Sequence, residues 1–531
     1  MALKLEDVPC INLGQFILGY LKKHDGKSTA LVDGTTDKSY TYSELIERTE
    51  RAAAGLQRFG VCKDDVIGVV SSNCPDYLIA FYASALIGAT FQPVNPLFTT
   101  EDIKKMFEQG GTKYVMTMPE MIPKVTAAIS SLGDTASSKV IVFCDANAAG
   151  DHVTFQSLVD SSDGQYTIPA GDPKKDVVAL MSSSGTTGFP KAVLISHYAV
   201  VSNTLILDTA PLTHPADSLI LFMPLFHMYG LYVLAMYTHF IGARLVIMKK
   251  YTPDDYLRLI EKYKPNALQV VPPIMVMLSK NPKVSEYDLS SVTSISCGAA
   301  PLSKEIEDNV KTRLNLTCVR QGYGMTEIGV THFSGKDDFR YKSVGKLLSL
   351  FEMKIVHVDT GKTCGVDEEG EIWIKGPPVC LGYLNAPEET KNFFTEDGWA
   401  KTGDIGREDE DGYLFVVDRL KELIKYKGFQ VAPASLEDVL LHHDAVADAG
   451  VVGLPDEEAG ELPRAYVVKK PGKEVIEKEL IDFVNGKVAP HMKLRGGVEF
   501  VSEIPRTASG KILRKTLREK AKTFAGQMPA L

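Results

Sequence analysis

Over roughly its first 420 residues, the chain alternates segments with the apolar periodicity of helices and short apolar runs typical of strands. One helix is predicted to begin at the capping pattern Thr41-Tyr-Ser-Glu44 and to end at Gly60, and the apolar run Val66–Val70 follows it. A second helix is predicted to begin at Pro253, because the first helical turn tolerates proline. This alternation predicts an α/β fold in which helices cover largely buried sheets.

A change in charge and in element length near residue 420 predicts a second domain. From Leu420 onward, 18 Lys and Arg face 16 Asp and Glu, a net charge of +2, whereas the whole chain carries −9 and the remainder therefore −11. The predicted elements in this part are short strands and one helix after Pro433. We expect a large N-terminal lobe of layered α/β subdomains, residues 1–419, and a small α+β C-terminal lobe, residues 420–531.

Composition and charge argue against several classes of protein. The chain has 531 residues, of which 44% are apolar and 24% charged, as in folded globular proteins, and its net negative charge disfavours nucleic acid as a partner. The eight cysteines include no Cys-x-x-Cys pair, which argues against a disulfide framework or a zinc site. The uncharged segment 218–243 is long enough to span a bilayer, but Pro224, Gly230 and Gly242 interrupt it, so it is interpreted as a strand, a pocket edge and a core helix.

The segment from Met181 to Val193 carries the strongest local motif. Its centre is rich in glycine and hydroxyl side chains and lies between two apolar runs. Glycines let backbone N–H groups face an anion, hydroxyls add donors and a lysine adds positive charge, although the Gly-Lys-Ser/Thr ending of the Walker pattern is missing. The alternative is a flexible surface loop. The residues predicted to bind a polyphosphate are Ser182, Ser183, Ser184, Gly185, Thr186, Thr187, Gly188 and Lys191.

This segment resembles the signature of the adenylate-forming enzymes, which include acyl-CoA synthetases, 4-coumarate–CoA ligases, beetle luciferases and peptide-synthetase adenylation domains. The resemblance extends from about Tyr40 to Lys515, with Ala192 at a position where the family commonly has glycine. It implies further nucleotide-binding residues, in the segments that begin at Gly298, Gly322 and Thr402 and around Asp418. They are Gly298, Ala299, Ala300, Pro301, Gly322, Tyr323, Gly324, Thr326, Asp404 and Arg419.

By the same resemblance, several of these residues have individual roles. Tyr323 stacks on adenine, Thr326 bonds the α-phosphate, Asp404 binds the ribose, and Arg419 makes a second ribose and phosphate contact. Glu327 supports Mg²⁺, since a carboxylate with phosphate oxygens is the ligand set that magnesium prefers.

The resemblance also implies catalytic residues in both lobes. Lys511, in Pro505-Arg-Thr-Ala-Ser-Gly-Lys511, matches the adenylation lysine, although a lysine after glycine near a C-terminus is ordinarily solvated. Lys425 and Gln430 match residues of the thioester and adenylate steps. His227 matches a histidine beside the substrate carboxylate, with a core histidine as the alternative. Lys421 occupies the hinge about which the small lobe moves.

Together these parts imply an acid–thiol ligase that uses ATP, Mg²⁺ and coenzyme A. A carboxylic acid and ATP would give an acyl-AMP and pyrophosphate, and CoA would then give acyl-CoA and AMP. The obstacle is charge, because an anion must approach a triphosphate, and the predicted loop, Glu327 with Mg²⁺, and Lys511 meet that need.

The acid itself is predicted from the segment His227–Met236, which contains no Asp or Glu. An amino acid would bring an ammonium group that needs a buried carboxylate partner, so an apolar acid is favoured, either fatty or aryl and 4-coumarate-like. The predicted pocket walls are Tyr229, Val233 and Val330. Ile328-Gly-Val330 departs from the proline-valine often found in the 4-coumarate–CoA ligases, which leaves hydroxycinnamate specificity open.

Two other functions remain open at this point: a luciferase-like oxidase of an acyl-adenylate, and a nucleotide-binding protein without catalysis or one that loads a carrier domain. The expected partners are a carboxylic acid, ATP and CoA, with no nucleic acid and no membrane span, in a monomer or homodimer that serves fatty acid metabolism. The chain ends in Pro-Ala-Leu, a poor match to the peroxisomal Ser-Lys-Leu, so a cytoplasmic location is expected rather than a peroxisomal one.

Overall fold

The computed structural model describes most of the residues of the chain. They are residues 3–130, 139–143, 150–183, 190–210, 212–214, 217–298, 304–335, 337–427, 429–456, 458–507 and 510–525.

The largest sheet has seven strands, which are parallel except for the antiparallel pair that closes one edge. Its strands carry almost continuous apolar runs because helices cover both faces of a parallel sheet. In spatial order they are Val153–Thr154, Val140–Val142, Thr112–Thr117, Val66–Val70, Thr90–Val94, Val177–Ser183 and Lys191–Ser196.

Two further mixed sheets complete the parallel part of the molecule. One has four strands in the order Ser218–Leu221, Arg244–Ile247, Thr29–Asp33 and Ser39–Thr41. The other has five strands in the order Ala267–Val270, Ser294–Cys297, Val319–Met325, Gly329–Phe333 and Lys346–Leu347. The first three strands of this second sheet are parallel, so their carboxyl ends share one edge, where ligands of open α/β sheets bind.

An antiparallel four-stranded sheet and the helices finish the N-terminal lobe. The sheet has the order Glu352–Val356, Gly370–Lys375, Ala400–Glu408 and Leu414–Arg419. The α-helices are Leu13–Leu21, Tyr42–Phe59, Pro75–Leu86, Thr100–Gly110, Ile122–Ile129, Phe155–Asp160, His197–Asp208, Tyr237–Phe240, Pro253–Tyr263, Pro272–Lys280, Lys304–Leu314 and Pro387–Phe393. Short 3₁₀ turns cover Leu5–Asp7, Pro119–Met121 and Pro282–Glu286.

The C-terminal part has its own sheet and its own apolar cores. The sheet has the order Phe429–Val431, Ile424–Tyr426, Gly460–Lys469 and Val446–Asp456, and Val498–Phe500 pairs in parallel with Gly460–Lys469. Its helices are Pro433–Leu441, Glu477–Asn485 and Arg514–Ala525, with a 3₁₀ turn at Pro490–Met492. The α/β architecture is confirmed, whereas the boundary between residues 419 and 420 stays a prediction.

The predicted helix starts are confirmed by their capping geometry. The Thr41 side chain accepts from the Glu44 N–H and the Glu44 carboxylate accepts from the Thr41 N–H, and the helix ends at Gly60 with φ of +101°. Pro253 is the first residue of its helix, where its missing N–H costs nothing. Val66–Val70 is a strand, as predicted.

The uncharged segment 218–243 folds back through the core. It contains the strand Ser218–Leu221, a π-helix at Tyr229–Met236 and the short helix Tyr237–Phe240. A Cβ on Gly230 would lie 2.2 Å from the Pro224 carbonyl oxygen, so only glycine permits this close approach. No helix in the described ranges is long and apolar enough to cross a membrane.

The buried His197 gives the fold a testable dependence on pH. Its ring is 2% exposed, and Nδ1 accepts from the Leu13 N–H at 3.0 Å. Burial lowers the pKa of His197 to about 4, Asp176 opposes that shift and Lys63 adds to it. Because the unfolded state takes up this proton below about pH 6.5 and the folded state does not, the stabilisation is complete above pH 6.5 and is lost as the pH falls toward 4.

We therefore predict that the His197→Asn variant is less sensitive to acid than the wild type. Its amide oxygen keeps an acceptor for the Leu13 N–H but does not titrate. Between pH 7 and pH 5 the wild type should lose about 2 kcal/mol more of its free energy of unfolding than the variant, measured by urea titration. If the two proteins lost the same free energy of unfolding, the conclusion that His197 is buried as a neutral imidazole would be contradicted.

Candidate active site

The phosphate-loop motif lies on a β-hairpin of the seven-stranded sheet. Strands Val177–Ser183 and Lys191–Ser196 are antiparallel, and Ser183 lies directly opposite Lys191. The Ser182 hydroxyl is buried and has no hydrogen-bond partner among the described residues. Ser183 and Lys191 therefore share one face of the hairpin, and the unsatisfied Ser182 hydroxyl lies on the opposite face. The predicted residues Ser184, Gly185, Thr186, Thr187 and Gly188 lie outside the described residues.

A second group of residues surrounds the carboxylate of Glu327, which is 5% exposed. Tyr383 Oη donates to Glu327 Oε1 at 3.1 Å, and a hydrogen bond with Ser183 also reaches this carboxylate. Burial raises the pKa of Glu327, while these hydrogen bonds and the Arg419 charge oppose the rise. Thr326, beside it, is also buried.

Asp404 organises a third group across three strands. It lies opposite Arg419 in an antiparallel pair, and Arg419 Nε lies 3.1 Å from Asp404 Oδ1. Tyr323 Oη donates to Asp404 Oδ2 at 2.7 Å. This carboxylate therefore holds both an aromatic ring and a guanidinium group in place.

The loop that carries Lys511 packs against the N-terminal lobe. Gly510 has φ of +85°, and a Cβ at this position would lie 3.1 Å from Pro273 Cδ. The Lys511 N–H donates to Thr507 Oγ1 at 3.1 Å, which closes a tight turn. Glycine is needed here both for the left-handed backbone and for the contact with Pro273.

The charges of Asp404 and Glu327 also act on Lys511, which forms no direct ion pair with either carboxylate within the described residues. Burial and the Arg419 guanidinium lower the pKa of Lys511, whereas the carboxylates of Asp404 and Glu327 raise it. The structure thus brings together residues that are far apart in the sequence and that lie on both sides of the predicted hinge.

The charge of the same ammonium group also acts on the His227 ring. Burial and the Lys511 charge lower the pKa of His227 to about 4, so its imidazole is neutral at pH 7. His227 Nδ1 accepts from the Tyr229 N–H at 3.2 Å, which places the proton of the neutral ring on Nε2. The ring therefore presents an N–H donor rather than a base.

The residues predicted to form the acid pocket lie on the π-helix and on or next to strands of the five-stranded sheet. Gly298 follows the strand Ser294–Cys297, and the nearest atom to a Cβ there is Tyr229 Oη at 3.9 Å, which leaves open space in front of its backbone. Val233 is buried on the π-helix and Val330 is partly buried on a strand. Ala299, Ala300 and Pro301 lie outside the described residues.

Glycines in the motif that precedes Glu327 are required by close packing. A Cβ on Gly324 would lie 2.3 Å from the Gly329 carbonyl oxygen, and a Cβ on Gly322 would lie 2.7 Å from Phe333 Cδ2. These contacts shape the strand on which Tyr323 lies, so the two glycines act through the backbone.

Two predicted catalytic residues lie away from this group. Lys425 and Gln430 are exposed partners in the hairpin of Ile424–Tyr426 and Phe429–Val431. They line a separate cleft of about 530 Å³, together with Val358, Asp359, Leu420, Lys421, Leu423 and Arg518. None of the residues that line this cleft belongs to the site around Lys511.

Sequence reasoning missed two residues that hold the site together. The Asn203 amide donates to the Val330 carbonyl at 3.1 Å and accepts from the Val330 N–H at 3.3 Å. Tyr383 bonds Glu327, as described above. Neither residue belongs to a charged or glycine-rich motif, so no local signal in the sequence marks it.

Comparisons with known proteins identify the family to which the chain belongs. A family model described as AMP-binding enzyme matches residues 21–384, and one described as AMP-binding enzyme C-terminal domain matches residues 435–511. The chain belongs to the AMP-binding enzyme family. The resemblance inferred from the motifs is therefore confirmed, as is the prediction of an AMP-forming CoA-ligase type of enzyme.

Relatives in this family match almost the whole chain. The probable 4-coumarate–CoA ligase 1 of Dictyostelium discoideum is 38% identical over 520 residues, which cover 95% of this chain and 94% of the relative. The luciferin 4-monooxygenase of Luciola mingrelica is 36% identical over 510 residues, which cover 94% and 92%. CoA ligases of this family use ATP, Mg²⁺ and CoA, as predicted. The acid, the cellular location, the oligomeric state and a role in fatty acid metabolism stay predictions.

Among solved structures, MatB from Rhodopseudomonas palustris with ATP bound has a TM-score of 0.89 at 25% identity, covering 97% of this chain and 100% of that chain. The apo structure of MatB, with the same coverage and 26% identity, has a TM-score of 0.78. The two-lobe fold of this AMP-binding enzyme is thus more similar to the ATP-bound form of that protein than to the apo form.

Proposed function

We propose that the chain is an acid–thiol ligase that activates an apolar carboxylic acid, fatty or aryl, as its adenylate and transfers the acyl group to CoA. The observation that carries this proposal is that the loop bearing Lys511, in the C-terminal lobe, packs at Gly510 against Pro273 of the N-terminal lobe, where the charges of Asp404 and Glu327 act on Lys511. A cation delivered by one lobe to a nucleotide site on the other suits the joining of two anions.

In the first step the acid carboxylate attacks the α-phosphorus of ATP, the bond to the β-phosphate breaks, and pyrophosphate leaves. Both reactants are anions, so positioning and charge stabilisation supply the catalysis. Asp404 and Arg419 bind the ribose, Tyr323 stacks on the adenine, and Lys191 and the serine-rich loop bind phosphates. Lys511 stabilises the negative charge that develops on the α-phosphate and on the attacking carboxylate.

The residues present fit Mg²⁺. Glu327 is a nearly buried carboxylate, and within the described ranges no lysine or arginine nitrogen lies within ion-pair distance of it. No cluster of three or more His, Cys, Asp or Glu side chains in the described part of the chain offers an all-protein metal site, as expected for an ion held mainly by phosphates. When bound, Mg²⁺ neutralises phosphate charge.

His227 orients the acid. Its Nε2–H can donate to the carboxylate without adding positive charge, because the ring is neutral at pH 7. The acyl chain then points past Tyr229 and the open face of Gly298. Neither Asp nor Glu lies on the π-helix Tyr229–Met236, so an α-ammonium group would be buried without a partner there.

In the second step the CoA thiol attacks the acyl carbon and AMP leaves. Lys425 lies in a separate cleft in this arrangement, so its role in the thioester step follows a rotation of the C-terminal lobe about Lys421. The same rotation withdraws Lys511 and opens a path for the thiol.

We predict that Lys425→Ala slows thioester formation by at least about 10-fold and leaves acid-dependent ATP–pyrophosphate exchange within about twofold, since exchange needs only the present arrangement. Lys427→Ala is a matched control, because Lys427 lies on the same hairpin and pairs with Glu458 at 2.8 Å. Both half-reactions of the control should match the wild type. An equal loss of both half-reactions in Lys425→Ala would contradict the separation of the two sites.

The substrate class is tested by pyrophosphate release over aryl, medium-chain, long-chain and α-amino acids. We expect release with one of the apolar classes, followed by acyl-CoA formation on addition of CoA. A preference for an α-amino acid would overturn the prediction that the pocket binds an apolar acid. The similarity to a luciferin 4-monooxygenase makes light emission with luciferin, ATP and oxygen the test of the oxidase alternative.

A further inference from the structure

We infer that Tyr383 is a positioning residue that holds the Glu327 carboxylate in the orientation needed to bind the magnesium ion of the nucleotide. This inference rests on the proposed function. It concerns a tyrosine that belongs to none of the motifs from which the site was predicted.

The segment around Tyr383 forms two hydrogen bonds with Glu327. Tyr383 Oη donates to Glu327 Oε1 at 3.1 Å, and the Cys380 N–H donates to the Glu327 carbonyl oxygen at 2.8 Å. Backbone and side chain of one residue are thus fixed by the same short stretch of chain. A rotation of the Glu327 side chain would break the Tyr383 bond and leave a buried carboxylate oxygen without that donor.

Tyr383 is itself held firmly. Its N–H donates to Thr390 Oγ1 at 2.9 Å, and the neighbouring Leu384 N–H donates to the Ala192 carbonyl oxygen at 2.9 Å. Its ring packs edge-on against Phe393 with centroids 5.7 Å apart. The hydroxyl therefore has little freedom to follow Glu327 if the carboxylate turns.

The ring also connects the metal carboxylate to the phosphate loop. Lys191 Nζ lies 5.0 Å from the centre of the Tyr383 ring, and its other near partner is Glu389 at 3.8 Å. Lys191 is one of the described residues assigned to the phosphates in the proposed function, and Glu327 is the residue assigned to magnesium. Tyr383 lies against both, so it fixes the distance between the two groups that must bind one Mg²⁺–triphosphate.

A carboxylate whose Oε1 accepts from a fixed phenol presents Oε2 to a cation in a defined direction. Hydrogen-bonded partners of this kind orient metal ligands, and their removal weakens metal binding by about 10- to 100-fold. A phenol with only a structural role would instead change the stability of the protein and leave metal affinity intact. The two roles therefore give different results in a binding experiment.

The experiment measures Mn²⁺ binding by electron paramagnetic resonance in the presence of a nonhydrolysable ATP analogue. We expect Tyr383→Phe to raise the Kd for Mn²⁺ by about 10- to 100-fold. The control is Tyr77→Phe, which removes a buried hydroxyl that has no partner within the described residues; the Tyr77 ring packs against Phe91 and Phe143, which have no assigned role in the site, so the Kd should match the wild type. An unchanged Kd in Tyr383→Phe overturns the inference.

A double-mutant cycle keeps the test decisive if Tyr383→Phe loses stability. In a Glu327→Gln background the carboxylate is gone, so Tyr383→Phe should not raise further the Mg²⁺ concentration for half-maximal ATP–pyrophosphate exchange. Additive effects of the two substitutions would overturn the inference. Acid-dependent exchange by the wild type is measured first; its absence with every acid overturns the proposed function, whereas its presence with an unchanged Kd overturns only the role of Tyr383.

Discussion

Replacing Lys511 with alanine should lower the rate of acid-dependent ATP–pyrophosphate exchange by about 100- to 1,000-fold. Lys511 comes from the C-terminal lobe, and its charge interacts with Asp404, Glu327 and His227, where negative charge grows during adenylation. Truncation to alanine removes that charge and leaves the N-terminal lobe untouched. The measurement is isotope exchange between pyrophosphate and ATP at saturating acid.

The same variant separates the two steps. Thioester formation from a supplied acyl-adenylate should stay within about threefold of the wild type, because the second step uses the opposite face of the lobe. Lys515→Ala removes an exposed lysine four residues further along and should leave both rates unchanged. An exchange rate in Lys511→Ala close to the wild type would remove Lys511 from the chemistry.

Asp404→Asn should lower kcat/KM for ATP by about 100-fold, mainly through KM. The Asp404 carboxylate holds the Arg419 guanidinium at 3.1 Å and the Tyr323 hydroxyl at 2.7 Å, and it is 5% exposed. An amide of the same shape loses the charge that strengthens both contacts, each worth about 1.5 to 3 kcal/mol, and leaves Arg419 partly uncompensated. The measurement is exchange kinetics over a range of ATP concentrations.

Asp367→Asn is the matched control for Asp404→Asn. Asp367 pairs with Arg407 near the end of strand Ala400–Glu408, the strand that also carries Asp404, so this change also removes one carboxylate beside an arginine. Its ATP kinetics should equal those of the wild type. A KM for ATP unaltered in Asp404→Asn would show that the ribose lies elsewhere.

Local signals predicted much of the fold because their physics is local. The reciprocal hydrogen bonds of Thr41 and Glu44, the αL stop at Gly60 and the proline at the first turn of Pro253–Tyr263 each depend on neighbours three or four residues away. The π-helix at Tyr229–Met236 was not predicted. It is set by tertiary packing, including the contact of Gly230 with the Pro224 carbonyl, and no local pattern distinguishes it from an α-helix.

The candidate site also contains residues that local motifs predict and residues that they do not. Asp404, Glu327 and Lys511 lie in motifs with strong local character, and the structure brings them together. Tyr383 and Asn203 act on residues 56 and 127 positions away, so only the folded chain shows what they hold. The location of Lys425 in a separate cleft also depends on how the two lobes are arranged, and a local sequence motif does not predict that arrangement.

The most direct test of the central claim is to incubate the wild-type protein with ATP, Mg²⁺ and an accepted acid in the absence of CoA, and to identify the products by mass spectrometry. We expect an acyl-adenylate and pyrophosphate to form in equal amounts, and acyl-CoA and AMP to form once CoA is added. Formation of ADP and inorganic phosphate, or no acid-dependent product with any acid, would contradict the central claim.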